Sequence, residues 1–186
     1  MPRGKLIYVM GASGAGKTRL IDYARRKLDG SLPVAFAHRY ITRPLGKDDE
    51  NYIALSKGEF DLRKARGLFA FDWQAYGFAY GIGIEIKAWL EAGLTVVMDG
   101  SRAHFIGERA SIADVVPVLV TVGRAELRRR LSACEREDAR AIEDRLRRAG
   151  QFAIADLSLL TVDNTGPIER AGEAFAAIVS AQAGGR

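Results

Sequence analysis

The chain has 186 residues, 48% of them hydrophobic and 27% charged, which suits one globular domain with its own core and excludes a disordered or fibrous chain. Its single cysteine, Cys134, provides no internal disulfide, and no apolar run reaches the ~18 residues that cross a bilayer. A formal charge of +5 admits nucleic acid, a membrane surface or small polyanions; with no basic tail and no aromatic-basic stripe, phosphorylated small molecules are the expectation. Residues 1–5 carry no long apolar leader, so a cytoplasmic protein is expected.

Residues 6–10 form an apolar run that reads as a strand and leads directly into Gly11-Ala12-Ser13-Gly14-Ala15-Gly16-Lys17-Thr18. This has the form G-x-x-x-x-G-K-[ST]. Its glycines allow successive N–H groups to point inward at phosphate oxygens, Lys17 can reach the β and γ phosphates, and Thr18 can ligate Mg²⁺. The helix that follows, about 17–28, has Leu20, Ile21, Ala24 and Leu28 on one face and adds the partial positive charge of its N-terminus. A nucleoside triphosphate site is expected here.

An extended run is expected over 33–43, stopped by Pro44, then a polar loop over 45–51 and a short strand over 52–55. Ser56 with Glu59 has the spacing of a capping box, starting a short helix that ends near Arg66. Residues 68–73 and 75–81 are aromatic-rich and read as an antiparallel pair projecting from the main sheet. A helix near 84–92 leads to a buried parallel strand at 95–98 that ends at Asp99. A helix at 102–110 and a strand at 115–122 follow, then helices on either side of residues 134–138, with Asp138 as a cap and Ile142, Leu146 and Ala149 on the inner face of the second. A final strand at 157–162, a turn at 163–166 and a helix from Pro167 to about Ala181 close the chain, with 183–186 expected to fray. The alternation is that of an α/β protein, and nothing marks a second independent domain.

A phosphate loop does not by itself separate kinases from ATPases or GTPases. Phosphoryl transfer requires charge neutralisation and in-line positioning, so basic side chains matter more than a nucleophile. Arg136, Arg145 and Arg148 meet that need if the segment carrying them covers the nucleotide; the alternative is a solvated face paired with Glu137, Asp138, Glu143 and Asp144. Arg124, Arg128, Arg129, Arg130, Arg140 and Arg147 are assigned to the surface. Asp99, at a strand end, can hold Mg²⁺ directly or through water, or cap the next helix. Arg39, Thr42 and Arg43 can grip an acceptor phosphate. His38 and His104 lack metal-site spacing and read as structural.

The phosphate loop, the Thr42-Arg43-Pro44 segment, the Tyr80-Gly81 pair and the arginine-rich hinge together resemble the guanylate kinase fold. The residues His38-Arg39-Tyr40-Ile41-Thr42-Arg43, Glu50-Asn51 followed by Ala54-Leu55-Ser56, Tyr80-Gly81-Ile82-Gly83-Ile84-Glu85-Ile86 and Gly100-Ser101-Arg102-Ala103 look like the ribose 1,5-bisphosphate phosphokinases of phosphonate metabolism. This resemblance covers nearly the whole chain. It implies a single P-loop kinase domain over 1–186, a three-layer α/β fold with a parallel sheet, an acceptor-binding β region at about 36–82 and a helical lid at about 125–150. It also implies ATP and Mg²⁺ as cofactors and conversion of ribose 1,5-bisphosphate to 5-phosphoribosyl 1-diphosphate. Tyr80 and Asp99 then join Arg39, Thr42 and Arg43 at the substrate, and a homodimer is compatible with it.

Three departures and one agreement, Asp72, bear on the reading. Where guanylate kinases commonly place a hydroxyl near guanine, the chain has Ile82. Leu45-Gly46-Lys47 stands where their second acceptor arginine is expected, and Asp72 falls near their guanine-reading acid. At the hinge, Cys134-Glu135-Arg136 replaces the Arg-Gly-Arg expected of the phosphokinases and leaves Arg136 alone of the pair. Guanylate kinase activity and a catalytically silent binding module remain the alternatives.

Overall fold

A computed structural model describes residues 2–44, 51–108, 112, 114–133, 139–150, 154, 156 and 158–184. In chain order the elements are β1 (Leu6–Gly11), α1 (Lys17–Lys27), β2 (Val34–Phe36), β3 (Arg39–Ile41), β4 (Tyr52–Ala54), α2 (Lys57–Ala65), β5 (Phe69–Ala75) and β6 (Phe78–Gly83). They continue with α3 (Glu85–Glu91), β7 (Thr95–Asp99), α4 (Arg102–Glu108), β8 (Val115–Thr121), α5 (Arg124–Ser132), α6 (Ala139–Ala149), β9 (Leu160–Asp163) and α7 (Ile168–Gly184).

Five strands form one parallel sheet in the order β2-β7-β1-β8-β9. β1 lies at its centre, and its side chains alternate between two cores. Ile7 and Val9 pack with Leu20, Ile21 and Ala24 of α1 and with Phe175 and Val179 of α7. Leu6, Tyr8 and Met10 pack with Ile86 and Leu90 of α3 and with Phe105 of α4. That two-sided burial explains the unbroken apolar run, since a parallel strand covered on both faces has no polar side. Helix, sheet and helix make the three layers. The crossing of the chain at β1 places the phosphate loop at the carboxyl ends of the strands, where α/β sheets bind ligands.

The extended run over 33–43 proves to be two strands in two sheets. β2 pairs with β7, and the Ala37 N–H still donates to Val97 O (2.9 Å). Beyond His38 the chain leaves that edge, and β3 pairs in parallel with β4 and antiparallel with β6. A four-stranded sheet β4-β3-β6-β5 results, so the aromatic pair is half of a separate sheet and not a projection of the main one. Tyr76 (φ 52°) and Gly77 (φ 77°) make its two-residue turn, the left-handed geometry that matches strand twist. The expected cap is present: Ser56 Oγ accepts from the Glu59 N–H (3.1 Å).

Three boundaries differ from the sequence reading, the first being the hairpin turn, which falls at 76–77 inside the run read as a strand over 75–81. β9 starts at Leu160 because Asp156 accepts from the Ser158 N–H and hydroxyl (2.9 and 2.6 Å), a local turn that competes with the ladder. Residues 183–184 are helical, not frayed: Ala183 is buried, and Gln182 accepts from Lys5 Nζ (2.9 Å). The Asp138 cap, the loop over 45–50 and the hinge at 134–138 lie outside the described residues. No helix among those described is long and apolar enough to cross a membrane.

Candidate active site

Between β1 and α1, Gly14 (φ 85°) and Gly16 (φ 86°) hold the left-handed conformations that a nest of inward N–H groups requires. Gly16 caps α1 without a side-chain hydrogen bond, leaving the first-turn amides of the helix for a ligand. Space as well as φ demands glycine there, because a Cβ would lie 2.4 Å from Asn164 Nδ2. Asn164, buried after β9, donates to Ala15 O (2.8 Å) and braces the loop from below. Arg130 joins it, donating to Asn164 O (2.7 Å) and Ala15 O (3.4 Å) while Glu126 accepts from its Nε (2.7 Å). Arg130 is therefore part of the loop's support and not the surface residue expected, a role hidden from the sequence because its partners Ala15 and Asn164 are distant in the chain.

Lys17 Nζ donates to Gly11 O and Ala12 O (3.4 and 3.3 Å), which draws its ammonium across the loop. Burial lowers its pKa, with Asp99 opposing. Thr18 Oγ1 lies 3.2 Å from the Tyr52 hydroxyl. That hydroxyl also accepts from Arg39 and donates to Asp99 Oδ2 (3.5 Å). Arg39 Nη1 pairs with the same Asp99 oxygen at 3.2 Å, and its guanidinium sits over the Tyr52 and Tyr80 rings at 4.4 and 5.2 Å. Burial works against the Arg39 charge, and Asp99 with the two tyrosines outweighs it, holding the pKa above its ordinary value.

Thus Arg39, expected to grip substrate, directs much of its guanidinium at Asp99 and Tyr52. Two buried atoms beside this pair, Asp99 Oδ1 and Arg39 Nε, have no hydrogen-bond partner. Tyr52 is among the site residues that sequence reasoning missed, as is Asn164. Tyr52 falls between Glu50-Asn51 and Ala54-Leu55-Ser56, outside the residues that carry the resemblance, and only tertiary packing brings its hydroxyl between Thr18 and Asp99.

These groups open on a cleft of about 830 Å³. Gly11, Ser13 and Lys17 line one side; Trp73, Tyr76, Phe78 and Tyr80 of the β5–β6 hairpin line another. Six of the described lining residues are cationic, namely Lys17, Arg39, Arg43, Arg102, Arg145 and Arg148, and none is acidic. Arg145 Nη1 donates to Ser13 Oγ (3.1 Å), which ties α6 to the phosphate loop. Such a cleft selects strongly anionic ligands.

Several expected site residues lie elsewhere. Thr42 does not line the cleft; its Oγ1 accepts from the Ala79 N–H (2.9 Å), pinning the end of β3 to β6. Arg136 is outside the described residues, as is the Arg140 side chain. Arg129 and Arg147 are exposed in local pairs with Glu126 and Asp144, Arg128 pairs with Glu143 across α5 and α6, and Arg124 is exposed. His38 is exposed, while His104 Nδ1 lies 3.0 Å from the Tyr8 hydroxyl beneath the cleft, where burial lowers its pKa. Asp72 turns toward α2 and pairs with Lys64, and Ile82 is wholly buried in the core.

No family model matches the chain. A ribose 1,5-bisphosphate phosphokinase PhnN of Desulfomicrobium baculatum is 49% identical over 175 residues, 94% of either chain. Another, from Laribacter hongkongensis, is 47% identical over 178 residues, which is 95% of this chain and 43% of that longer relative. Among solved structures, guanylate kinase from Anaplasma phagocytophilum superposes with a TM-score of 0.70 at 14% identity, covering 98% of this chain and 87% of that one; this is a likeness of fold. Identity of this extent over nearly the full length shows that the chain belongs to the ribose 1,5-bisphosphate phosphokinase family, built on a guanylate kinase-like α/β scaffold.

Proposed function

We propose that the protein transfers the terminal phosphoryl group of ATP to ribose 1,5-bisphosphate, giving 5-phosphoribosyl 1-diphosphate and ADP, in the cytoplasm where ATP is supplied. The observation that carries this is the cleft: six cations and no acid among the described lining residues, beside an intact phosphate loop. A sugar bearing two phosphates and a nucleoside triphosphate both match it.

In this reading the amides of residues 11–16 and Lys17 hold the ATP phosphates. Arg43 and Arg39 face the acceptor phosphate, with Thr42 fixing the strand end that carries them and Tyr80 beside the sugar. Arg145 and Arg148, joined by Arg136, offset the charge that spreads over the transferred group. An oxygen of the anomeric phosphate forms a bond to the terminal phosphorus as the bond to the bridging oxygen breaks, and ADP departs. The acceptor's second pKa is about 6, so it is largely ionised at neutral pH and needs no protein base.

The residues present fit Mg²⁺. The Thr18 hydroxyl and the buried, unpartnered Asp99 Oδ1 are hard oxygen donors on either side of Tyr52, while no described cluster of three His, Cys, Asp or Glu could form an all-protein cage. When bound, the ion supplies positive charge to phosphate oxygens.

Guanylate kinase chemistry fits less well. Ile82 is buried and Asp72 is held by Lys64, so neither meets a base, and an unpaired polar edge costs about 1–3 kcal/mol per missing partner. A silent binding module would not require Lys17 and Thr18. ADP release with ribose 1,5-bisphosphate against GMP tests the proposal. The sugar should win by at least ~100-fold in kcat/KM; equal rates, or GMP alone, would overturn it.

A further inference from the structure

Arg102 opens α4 just beyond the end of β7, yet its guanidinium reaches the far end of the lid helix. Nη1 donates to Ala149 O (2.8 Å) and Nη2 to Arg148 O (3.4 Å). These carbonyls belong to the last turn of α6, where no intrahelical N–H remains to meet them and where a cation is favoured by the helix dipole. On the opposite flank, the Tyr76 ring at the tip of the β5–β6 hairpin lies under the guanidinium groups of both Arg145 and Arg148, at 5.4 and 5.5 Å. The apolar stripe of α6, Leu146 with Ile142 and Ala149, packs on Leu127 and Leu131 of α5. That stripe fixes which face of α6 turns inward. Its cluster reaches Ala12 and Val122 at the ends of β1 and β8, and Arg102 adds a polar tie at the C-terminal end of α6.

We propose that Arg102 is a positioning residue for phosphoryl transfer: it docks the C-terminal end of α6 against the core, with Tyr76 as the opposing rest, so that Arg145 and Arg148 face the cleft. This rests on the reading that those two arginines act on the transferred group. Arg102 acts through them, because both of its terminal nitrogens are directed at backbone carbonyls.

The test combines kinetics with hydrogen exchange on the full chain, using Arg102→Ala, Arg102→Lys, Arg148→Ala and the double variant Arg102→Ala/Arg148→Ala. Arg102→Ala should lower kcat about 10- to 100-fold with KM for ATP within about twofold, the signature of misplaced groups felt in the transition state. Lysine should restore part of the loss, since an ammonium still donates to a helix C-terminus. The double variant should lose little beyond Arg148→Ala alone, because residues acting as a unit are not additive. Without ligand, amides of α6 should exchange faster in Arg102→Ala than in the parent. A fully multiplicative double variant, or unchanged exchange in α6, overturns the proposal. If the parent phosphorylates neither acceptor while α6 exchange still rises in Arg102→Ala, the docking role stands and the functional reading falls.

Discussion

Arg39 and Asp99 are both buried and depend on each other: their side chains are 12% and 3% exposed, and they meet at 3.2 Å. Breaking such a pair leaves an uncompensated charge, so Asp99→Ala should destabilise the fold by about 3–5 kcal/mol in urea denaturation. Replacing both, as Arg39→Met with Asp99→Leu, should recover most of that stability and none of the activity. Lys17 behaves differently. It makes only long contacts to loop carbonyls, so Lys17→Ala should leave the melting temperature nearly unchanged while lowering kcat by at least ~100-fold in the ADP-release assay. Unchanged kcat would remove the phosphate loop from the mechanism. The phosphate-loop spacing already marks Lys17 as a phosphate ligand, whereas the burial of Arg39 against Asp99 is not visible in residue identity.

Among the elements, α5 is where an apparently solvated arginine row acquires a task. Glu126 accepts from Arg129 and Arg130, and these hydrogen bonds pull its pKa down from 4.5 to about 2. A carboxylate depressed in the folded state contributes stability that is present above its unfolded pKa and lost as pH falls through the folded one. Melting temperature measured from pH 6 to pH 2 should therefore fall more steeply for the parent than for Glu126→Gln, the difference developing below about pH 4.5. Parallel curves would show that the pair contributes nothing. Since Arg130 also donates to Asn164 and Ala15, Glu126→Gln should weaken ATP binding as well, read as a raised KM for ATP.

The molecule as a whole is two sheets linked by the chain from β2 to β3 and packed on a shared cluster that includes Tyr8, Met98, Ile82 and Phe71, with α1 and α7 closing the back. That closure is tight at one point: a Cβ on Gly172 would fall 2.6 Å from the Tyr23 ring. Gly172→Ala should overpack the α1–α7 contact by about 1–3 kcal/mol, lowering the melting temperature by several degrees with the kinetics of the folded enzyme unchanged. The cleft lies on the other side, between the main sheet, the four-stranded sheet and α6. Its charge comes from four separate places: α1, β3 with the residues just after it, α4 and α6. No single segment is basic enough to announce it.

The sequence alone determined the features that depend on local geometry and on strictly periodic burial: the phosphate loop, the Ser56 cap, the order of strands and helices, and the inner stripes of α5 and α6. Its motifs over residues 11–18, 38–43 and 80–86 also carried the resemblance to the family. Tertiary structure decided the rest. It split the run over 33–43 between two sheets, since backbone pairing partners more than ten residues away are not encoded in an alternation of side chains. It turned Asp72 to α2, sank Ile82 into the core, set Tyr52 between Thr18 and Asp99, and gave Arg102 and Arg130 carbonyls to hold. Each of those outcomes depends on which distant group fills a side chain's hydrogen-bonding or apolar demand, and only the folded chain supplies that partner.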